Sequence, residues 1–113
     1  MKQGTTPTIR LFIKDYDLSN VTAYITIEGK KGFQITYNST DPRVRTDVEE
    51  EGTAFYVRFT QEDTLGLEIG TYTVEIRWIE SDGTAMATEA QSFNVTPALY
   101  KRVIEYLGGG QSE

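Results

Sequence analysis

The carboxylate side chains are the residues of this sequence that most readily suggest chemistry, because 17 of its 113 residues are aspartate or glutamate. Clustered carboxylate oxygens bind calcium, and a pair of carboxylic acids can hydrolyse a glycosidic bond. The densest group consists of Asp41, Asp47, Glu49, Glu50 and Glu51. It lacks the ligand spacing of a helix–loop–helix calcium site, and a solvated edge strand explains its composition more simply. We therefore predict no metal site there.

The acid pairs Glu62/Asp63 and Glu49/Glu51 are the candidates for acid–base catalysis. Both pairs fall in predicted turns, where water would solvate the carboxylates, and nothing in the sequence favours one pair. The chain also contains no histidine and no cysteine. Serine–histidine and cysteine–histidine catalysis, thiolate zinc sites and disulfides are thereby excluded. The sequence predicts a protein without catalytic residues, metal or cofactor.

The charge balance argues against a polyanionic partner. The net charge is -6, and the basic residues are scattered, with Lys30–Lys31, Arg43/Arg45 and Lys101–Arg102 as the only close pairs. Nucleic acids and anionic membranes attract a basic face, so we predict neither as a partner. The polar start MKQGTTP is not followed by the apolar segment of a signal peptide or of a membrane span. We expect the protein to be made and folded in a cytosol.

Alternating apolar and polar residues predict about seven short antiparallel strands. Turn-forming residues separate the clearest of these segments, which are residues 8–14, 21–28, 53–60 and 71–80. In the return segment 85–96 the alternation slips by one residue, which predicts a bulge or a strand break near Glu89–Gln91. Such a pattern in a chain of this length is typical of one β-sandwich domain, which we place at residues 1–97.

The stretch Glu68-x-Gly70-x-Tyr72-x-Val74 resembles the tyrosine corner of immunoglobulin-like sandwiches. In that corner a tyrosine near the start of a strand pins the preceding turn through its hydroxyl group, two residues before an inward-facing core position. We predict that Gly70 turns the chain, that Tyr72 caps the corner, and that Val74 and Trp78 fill the core. The predicted fold class is all-β: an antiparallel immunoglobulin-like β-sandwich of about seven strands with a short C-terminal helix.

Two short helical segments are predicted. The first begins at Thr60, whose side chain can accept a hydrogen bond from the amide of Asp63. The second covers Leu99–Leu107, because apolar residues recur there at helical spacing; they are Leu99, Val103, Ile104 and Leu107. Three glycines at 108–110 end this helix. We therefore assign residues 98–113 to a short C-terminal helix and a flexible glycine-rich tail.

Exposed aromatic and apolar residues are the candidates for an interaction surface. Phe12, Tyr24 and Tyr56 point outward from the predicted sheets, where aromatic rings can stack on sugars or contact a protein. Ordinary packing between neighbouring strands explains these rings equally well. The predicted C-terminal helix adds Leu99, Tyr100 and Val103 to the candidates.

Three stretches together resemble a known group of phage proteins. They are the polar start MKQGTTPT, the segment FTQEDTLGL and the segment GTYTVEIRWIESDGTAMATEAQSFNV. In this order, over residues 1–97, they are similar to the small β-sandwich proteins of prophage tail regions in Gram-positive bacteria. They are also similar to the immunoglobulin-like N-terminal domain of phage baseplate upper proteins.

The resemblance implies a noncatalytic structural or adaptor protein that contacts other phage tail or baseplate proteins and that can form a homo-oligomer. It further implies assembly in the bacterial cytoplasm, followed by incorporation into a virion. The alternative function is that of a carbohydrate-binding module, which would use Tyr24, Tyr56 or an exposed Trp78 on a sheet face.

Overall fold

A computed structural model gives the structure of the protein and describes residues 1–88 and 90–106. The fold class is all-β, as predicted. The described residues form the following elements: β1 Thr8–Lys14, β2 Ala23–Glu28, β3 Gln34–Asn38, β4 Val44–Glu49, β5 Gly52–Arg58, α1 Gln61–Leu65, β6 Gly70–Ile79, β7 Ala85–Ala87 and β8 Gln91–Val95. A 3-10 turn, Lys30–Gly32, joins β2 to β3. These eight strands exceed the predicted seven because the segment after β6 is divided into two.

The strands form two antiparallel sheets that share one hydrophobic core. The three-stranded sheet has the order β1–β5–β4, and the five-stranded sheet has the order β3–β2–β6, with β7 and β8 both on the far edge of β6. Alternate residues of β1, β2 and β6 face inward, as the sequence pattern predicted. The core residues include Leu11, Phe55 and Val57 from the first sheet and Ile25, Val74 and Trp78 from the second.

The break between β7 and β8 accounts for the slip in the alternation. Strand β7 pairs Arg77 with Ala87, whereas β8 pairs Val74 with Gln91. Three residues of the returning chain therefore stand opposite two residues of β6. One of those three, Glu89, lies outside the described residues, but the registers on either side confirm the predicted extra residue.

The predicted tyrosine corner is present at the start of β6. The Tyr72 hydroxyl donates to the backbone oxygen of Glu68 at 2.7 Å, and the residue is only 4% exposed. Its ring stacks on Phe93, with 5.5 Å between the ring centres, and packs at a right angle to the Phe33 ring, with 5.7 Å between the centres. Gly70 has φ of 138°, a conformation that residues with a Cβ atom rarely adopt. Gly70 and Tyr72 thus have the predicted structural roles.

Trp78 lies in the core at the other end of β6, which agrees with the prediction. It is buried together with Val74, and the Tyr16 ring packs against it edge-to-face, with 5.4 Å between the ring centres. The indole Nε1 donates to the Glu80 carboxylate at 2.8 Å. Because a buried indole N–H needs such a partner, this bond stabilises the inward orientation. Trp78 is therefore not an exposed sugar platform, which leaves Tyr24 and Tyr56 as the platforms named for the alternative function.

Helix α1 begins with the predicted cap and connects the sheets. The Thr60 side chain accepts from the Asp63 amide at 3.1 Å, and the Asp63 carboxylate accepts from the Thr60 amide at 2.8 Å. Arg43, just before β4, donates to Asp63 at 3.0 Å and to the Tyr37 hydroxyl at 3.3 Å. Since Tyr37 belongs to β3, these contacts tie α1 to both sheets.

The prediction of a C-terminal helix is wrong for residues 99–106. Residues 99–106 contain no helical turn, while Leu107 and the glycine-rich tail lie outside the described residues. The Gln61 side chain forms hydrogen bonds with both backbone groups of Ile104. Its Oε1 accepts from the Ile104 amide at 2.7 Å, and its Nε2 donates to the Ile104 carbonyl at 2.9 Å. In the predicted helix the Ile104 amide would instead donate to the carbonyl four residues earlier. Across the described part of the chain, no helix is long and apolar enough to cross a membrane.

Candidate functional site

The outer face of the three-stranded sheet carries a row of large side chains centred on Tyr56. Strand pairing places Arg10 on one side of Tyr56 and Arg45 on the other. The Arg45 guanidinium lies 4.1 Å from the centre of the Tyr56 ring, and Arg10 Nε donates to the Tyr56 hydroxyl at 3.3 Å. We call this surface, with the neighbouring Phe12 and Arg58, the arginine–tyrosine face.

The arginine–tyrosine face is ordered by contacts among its own side chains. The Arg10 guanidinium lies 5.0 Å from the centre of the Phe12 ring and 3.1 Å from the Glu49 carboxylate. Beneath them Ala54, although it points outward, is completely buried. Arginine–ring contacts of this kind contribute about 0.5–1 kcal/mol at an exposed site. The side chains thus form a preformed layer rather than a set of independent exposed groups.

A shallow cleft continues this face towards the N-terminus of β1. Its volume is about 370 Å³, and Tyr56, Arg43, Arg45 and Arg58 are among its lining residues. Two of the arginines are already paired, Arg43 with Asp41 and Asp63, and Arg45 with Asp47. No carboxylate of the described residues lies within ion-pair distance of Arg58. Arginine and tyrosine are the residues that most often dominate binding energy at protein interfaces.

A second candidate site is the segment of residues 98–106, which we call the C-terminal arm. It extends from the end of the sheets across α1, and its large apolar side chains face solvent. Tyr100 is 62% exposed, Ile104 63% and Tyr106 89%, and Leu99 is fully exposed. Isolated exposed apolar residues are ordinary on a protein surface, but a continuous group of them usually marks a contact site.

The arm is fixed at its base by the buried side chain of Gln3. The Gln3 Nε2 donates to the Leu67 carbonyl at 2.8 Å, and its Oε1 accepts from Lys101 Nζ at 2.9 Å and from the Ala98 amide at 3.3 Å. Gln61 holds Ile104 further along the arm. The backbone of the arm is therefore bound to the domain while its apolar side chains remain exposed.

The predicted interaction residues do not converge on one surface. Tyr56 lies on the outer face of the three-stranded sheet, whereas Tyr24 lies on the outer face of the five-stranded sheet and is 50% exposed. Leu99, Tyr100 and Val103 belong to the C-terminal arm. The Arg45 guanidinium lies 4.1 Å from the centre of the Tyr56 ring and covers it, and Trp78 is buried, so the half-exposed Tyr24 is the most accessible of the three proposed sugar platforms.

The carboxylates considered for metal binding or catalysis are engaged in structural contacts or dispersed. Asp41, Asp47 and Glu49 form ion pairs with arginines, and Asp63 completes the cap of α1. Among the described residues, no three acidic side chains are grouped closely enough to hold a metal ion.

The Asp63 carboxylate is the acid whose environment the structure defines best. Burial alone would raise the pKa of Asp63, but the hydrogen bonds from Thr60 and the charge of Arg43 outweigh it and lower that pKa. A general acid needs the opposite shift. Asp63 therefore acts as a capping anion in this structure.

Comparison with known proteins gives no relative to guide the assignment: no protein-family model matches the chain, and no curated protein and no solved structure matches it. The candidate sites are consequently defined by the geometry of this chain alone.

The arginines of the arginine–tyrosine face were missed by the sequence reasoning. Arg10 and Arg58 are the outward residues of two alternating strands, and Arg45 was seen only as half of a close basic pair. Their convergence depends on which residues stand opposite each other across β1, β5 and β4. One signal was available in the sequence. Tyr56 lies between the inward residues Phe55 and Val57, so it faces outward, and Arg58, two residues later, must lie on the same face.

Proposed function

We propose that the protein is a noncatalytic adaptor of a phage tail or baseplate, built as an immunoglobulin-like β-sandwich, and that it acts through protein–protein contacts. The observation that carries the proposal is the C-terminal arm. A domain that binds the backbone of a segment tightly, yet leaves its apolar side chains in water, presents those side chains to a partner.

The energetics of the arm favour docking on an apolar surface. Burying a large apolar side chain contributes about 1.5–3 kcal/mol, and Tyr100, Ile104 and Tyr106 are all more than half exposed. Association normally costs free energy because side chains and loops lose freedom. The bonds from Gln3 and Gln61 reduce that cost, since the backbone of the arm is already ordered before the partner arrives.

The arginine–tyrosine face offers a second contact surface of interface-like composition. It is rich in arginine and aromatic rings, and its side chains are ordered by contacts with one another. Because it lies on the outside of a sheet whose other face is in the core, it can meet a partner without any change in the fold. An adaptor needs two such surfaces if it is to connect two other proteins.

Two further observations support the phage assignment and the sandwich topology. The sequence resemblance over residues 1–97 is to phage tail-region proteins, and it includes the segment that forms the tyrosine corner. The corner bond from Tyr72 to Glu68 and the two sheets around one core are features that immunoglobulin-like sandwiches share.

The proposal is tested by recovering the tagged protein from a lysate of a host that is producing phage particles. We expect tail or baseplate proteins to co-purify and the Tyr100→Ser/Tyr106→Ser variant to recover at least tenfold less of them. Tyr24→Ser is the control, because it removes a half-exposed tyrosine from another face and should leave recovery unchanged. Absence of the protein from every tail complex would contradict the phage assignment. Equal recovery by the arm variant would contradict the role of the arm.

A further inference from the structure

A cavity lies beside the tyrosine corner, apart from the arginine–tyrosine face and adjoining, at Gly66, the groove along the C-terminal arm. It has a volume of about 310 Å³ and lies between the 3-10 turn with Phe33 on one side and the corner residues 68–72 on the other. Small-molecule sites commonly begin at about this volume and combine an apolar lining with a few polar groups. We call this cavity the corner pocket.

The rim of the corner pocket carries two lysines without ionic partners. None of the four ion pairs formed by the described residues involves Lys30 or Lys31. A Cβ atom placed on Gly70 would lie 3.7 Å from Lys30 Nζ, so the end of this exposed side chain lies beside the corner. Glu68, which also lines the pocket, leaves the rim with a net positive charge.

The backbone of the turn adds hydrogen-bond donors to the same rim. Lys31 has φ of 59° and Gly32 has φ of 77°. The amides of Lys30 and Lys31, at the start of the 3-10 turn, donate to no backbone or side-chain oxygen of the described residues. Successive free amides in a turn can form a concave anion-binding site. A non-glycine residue at positive φ is also a strained conformation that is often found at functional sites.

One wall of the corner pocket is apolar and is fixed by contacts of its own. Phe33, Ile69 and Tyr72 line it, and Tyr72 is held in place by its hydroxyl bond and by rings on two sides. Gly29 seats the turn directly against Tyr72, because a Cβ atom there would come within 2.5 Å of the ring. The wall behind the lysines is therefore fixed before any ligand enters.

From this combination we infer that the corner pocket binds a carboxylate attached to a small apolar or aromatic group. The lysines and turn amides would receive the carboxylate, and the apolar group would lie against Phe33 and Ile69. The carboxylate can belong to a free organic acid or to the C-terminal residue of a polypeptide, since both present the same chemistry. This inference does not depend on the proposed adaptor function.

The test is a titration of the ¹⁵N-labelled protein with 3-phenylpropionate, followed by the amide signals of Lys31, Gly32, Gly70 and Thr71. We expect saturable shifts confined to these residues and their neighbours. The neutral analogue 3-phenylpropionamide should bind at least tenfold more weakly, because it lacks the charge. Acetate and inorganic phosphate, which lack the apolar group, should also bind at least tenfold more weakly.

The variants that test the role of the lysines are chosen to keep the backbone conformation of the turn. Lys30→Gln/Lys31→Asn removes both charges, and asparagine tolerates the positive φ at position 31. It should lower the affinity for 3-phenylpropionate at least tenfold, whereas Lys14→Gln, which removes an exposed lysine of β1, should not change it. If the double variant fails to fold, Lys30→Gln alone carries the test, with an expected loss of at least threefold. Equal binding of the acid and the amide, or of phosphate and the acid, would overturn the inference.

A second pair of ligands separates the two sources of the carboxylate. The acetylated tripeptide Ala-Ala-Phe is titrated with a free C-terminus and with an amidated one. Tighter binding of the free form than of 3-phenylpropionate identifies a polypeptide C-terminus as the ligand. Binding of 3-phenylpropionate with no response to either tripeptide identifies a free organic acid. No response to either class of carboxylate would refute the site.

Discussion

Removal of the Tyr72 hydroxyl group isolates the contribution of the tyrosine corner. The substitution Tyr72→Phe deletes one oxygen atom and keeps the ring, so that the contacts with Phe93 and Phe33 persist. The lost interaction is the 2.7 Å hydrogen bond to the Glu68 carbonyl. The change therefore tests the corner bond separately from the packing of the core.

The expected loss of stability follows from the surroundings of that bond. A hydrogen bond contributes about 0.5–1.5 kcal/mol net, and a buried acceptor left without a partner costs about 1–3 kcal/mol. Tyr72 is buried, but Glu68 is exposed, so water can reach its carbonyl after the substitution. We therefore expect a loss of about 1–2 kcal/mol, which corresponds to a fall in melting temperature of about 4–8 °C per kcal/mol for a domain of this size.

Urea denaturation followed by Trp78 fluorescence measures the effect, with a lower midpoint and an unchanged slope as the signature of a pure stability change. Tyr24→Phe is the matched control, because it deletes the same atom from a half-exposed ring and should stay within about 0.5 kcal/mol of the wild type. Equal stability of the two variants would refute the assignment of Tyr72 as a corner bond. A change in slope would mean that the substitution altered more than this bond.

Three further predictions concern the core, the helix cap and acid stability. Trp78→Ala should reduce the free energy of unfolding by about 3–5 kcal/mol, since it leaves a large cavity and an unpaired Glu80; because this variant lacks the only tryptophan, its urea denaturation is followed by far-ultraviolet circular dichroism. Thr60→Ala should cost about 1 kcal/mol through loss of the cap, whereas Thr60→Ser should cost less. The pKa of Asp63 is lowered in the folded state, so its stabilising contribution is present above its unfolded value of about 3.9 and is lost as the pH falls below it. In thermal melts from pH 6 to pH 2.5, Asp63→Asn should therefore lose less stability than the wild type.

Local patterns predicted the parts of the fold in which burial and hydrogen bonding agree with the sequence. Strand β6 alternates so regularly that its inward residues, including Val74 and Trp78, could be assigned without knowledge of its neighbours. Its tyrosine corner depends only on residues within one turn of the chain. The cap of α1 is equally local, because Thr60 and Asp63 are three residues apart.

The prediction of a C-terminal helix was wrong because helical spacing alone does not stabilise a short helix. A helix of about nine residues is marginal unless it packs on something, and the inner faces of both sheets already cover each other. Gln61 then competes for the backbone of Ile104 and holds the segment open. The pattern of residues within 99–107 cannot predict a contact with a glutamine that lies more than 30 residues earlier in the chain.

The candidate sites were the least predictable features because they depend on contacts between distant strands. Arg10 and Arg45 meet Tyr56 only through the pairing of three strands. The corner pocket similarly requires the 3-10 turn to lie against the loop before β6. A single sequence contains the outward residues of each strand, but it does not specify the register that brings them together.

The one-residue offset between β7 and β8 has a consequence for growth of the five-stranded sheet. An uninterrupted edge strand offers a row of free amide and carbonyl groups on which another chain can pair, and such pairing leads to aggregates and fibrils. The edge formed here consists of β7, with three residues, and β8, with five residues, and their pairing registers with β6 differ by one residue. An incoming strand that matched β8 would present the wrong face along β7. The irregularity thus limits this edge as a template for polymerisation, even where many copies are crowded together.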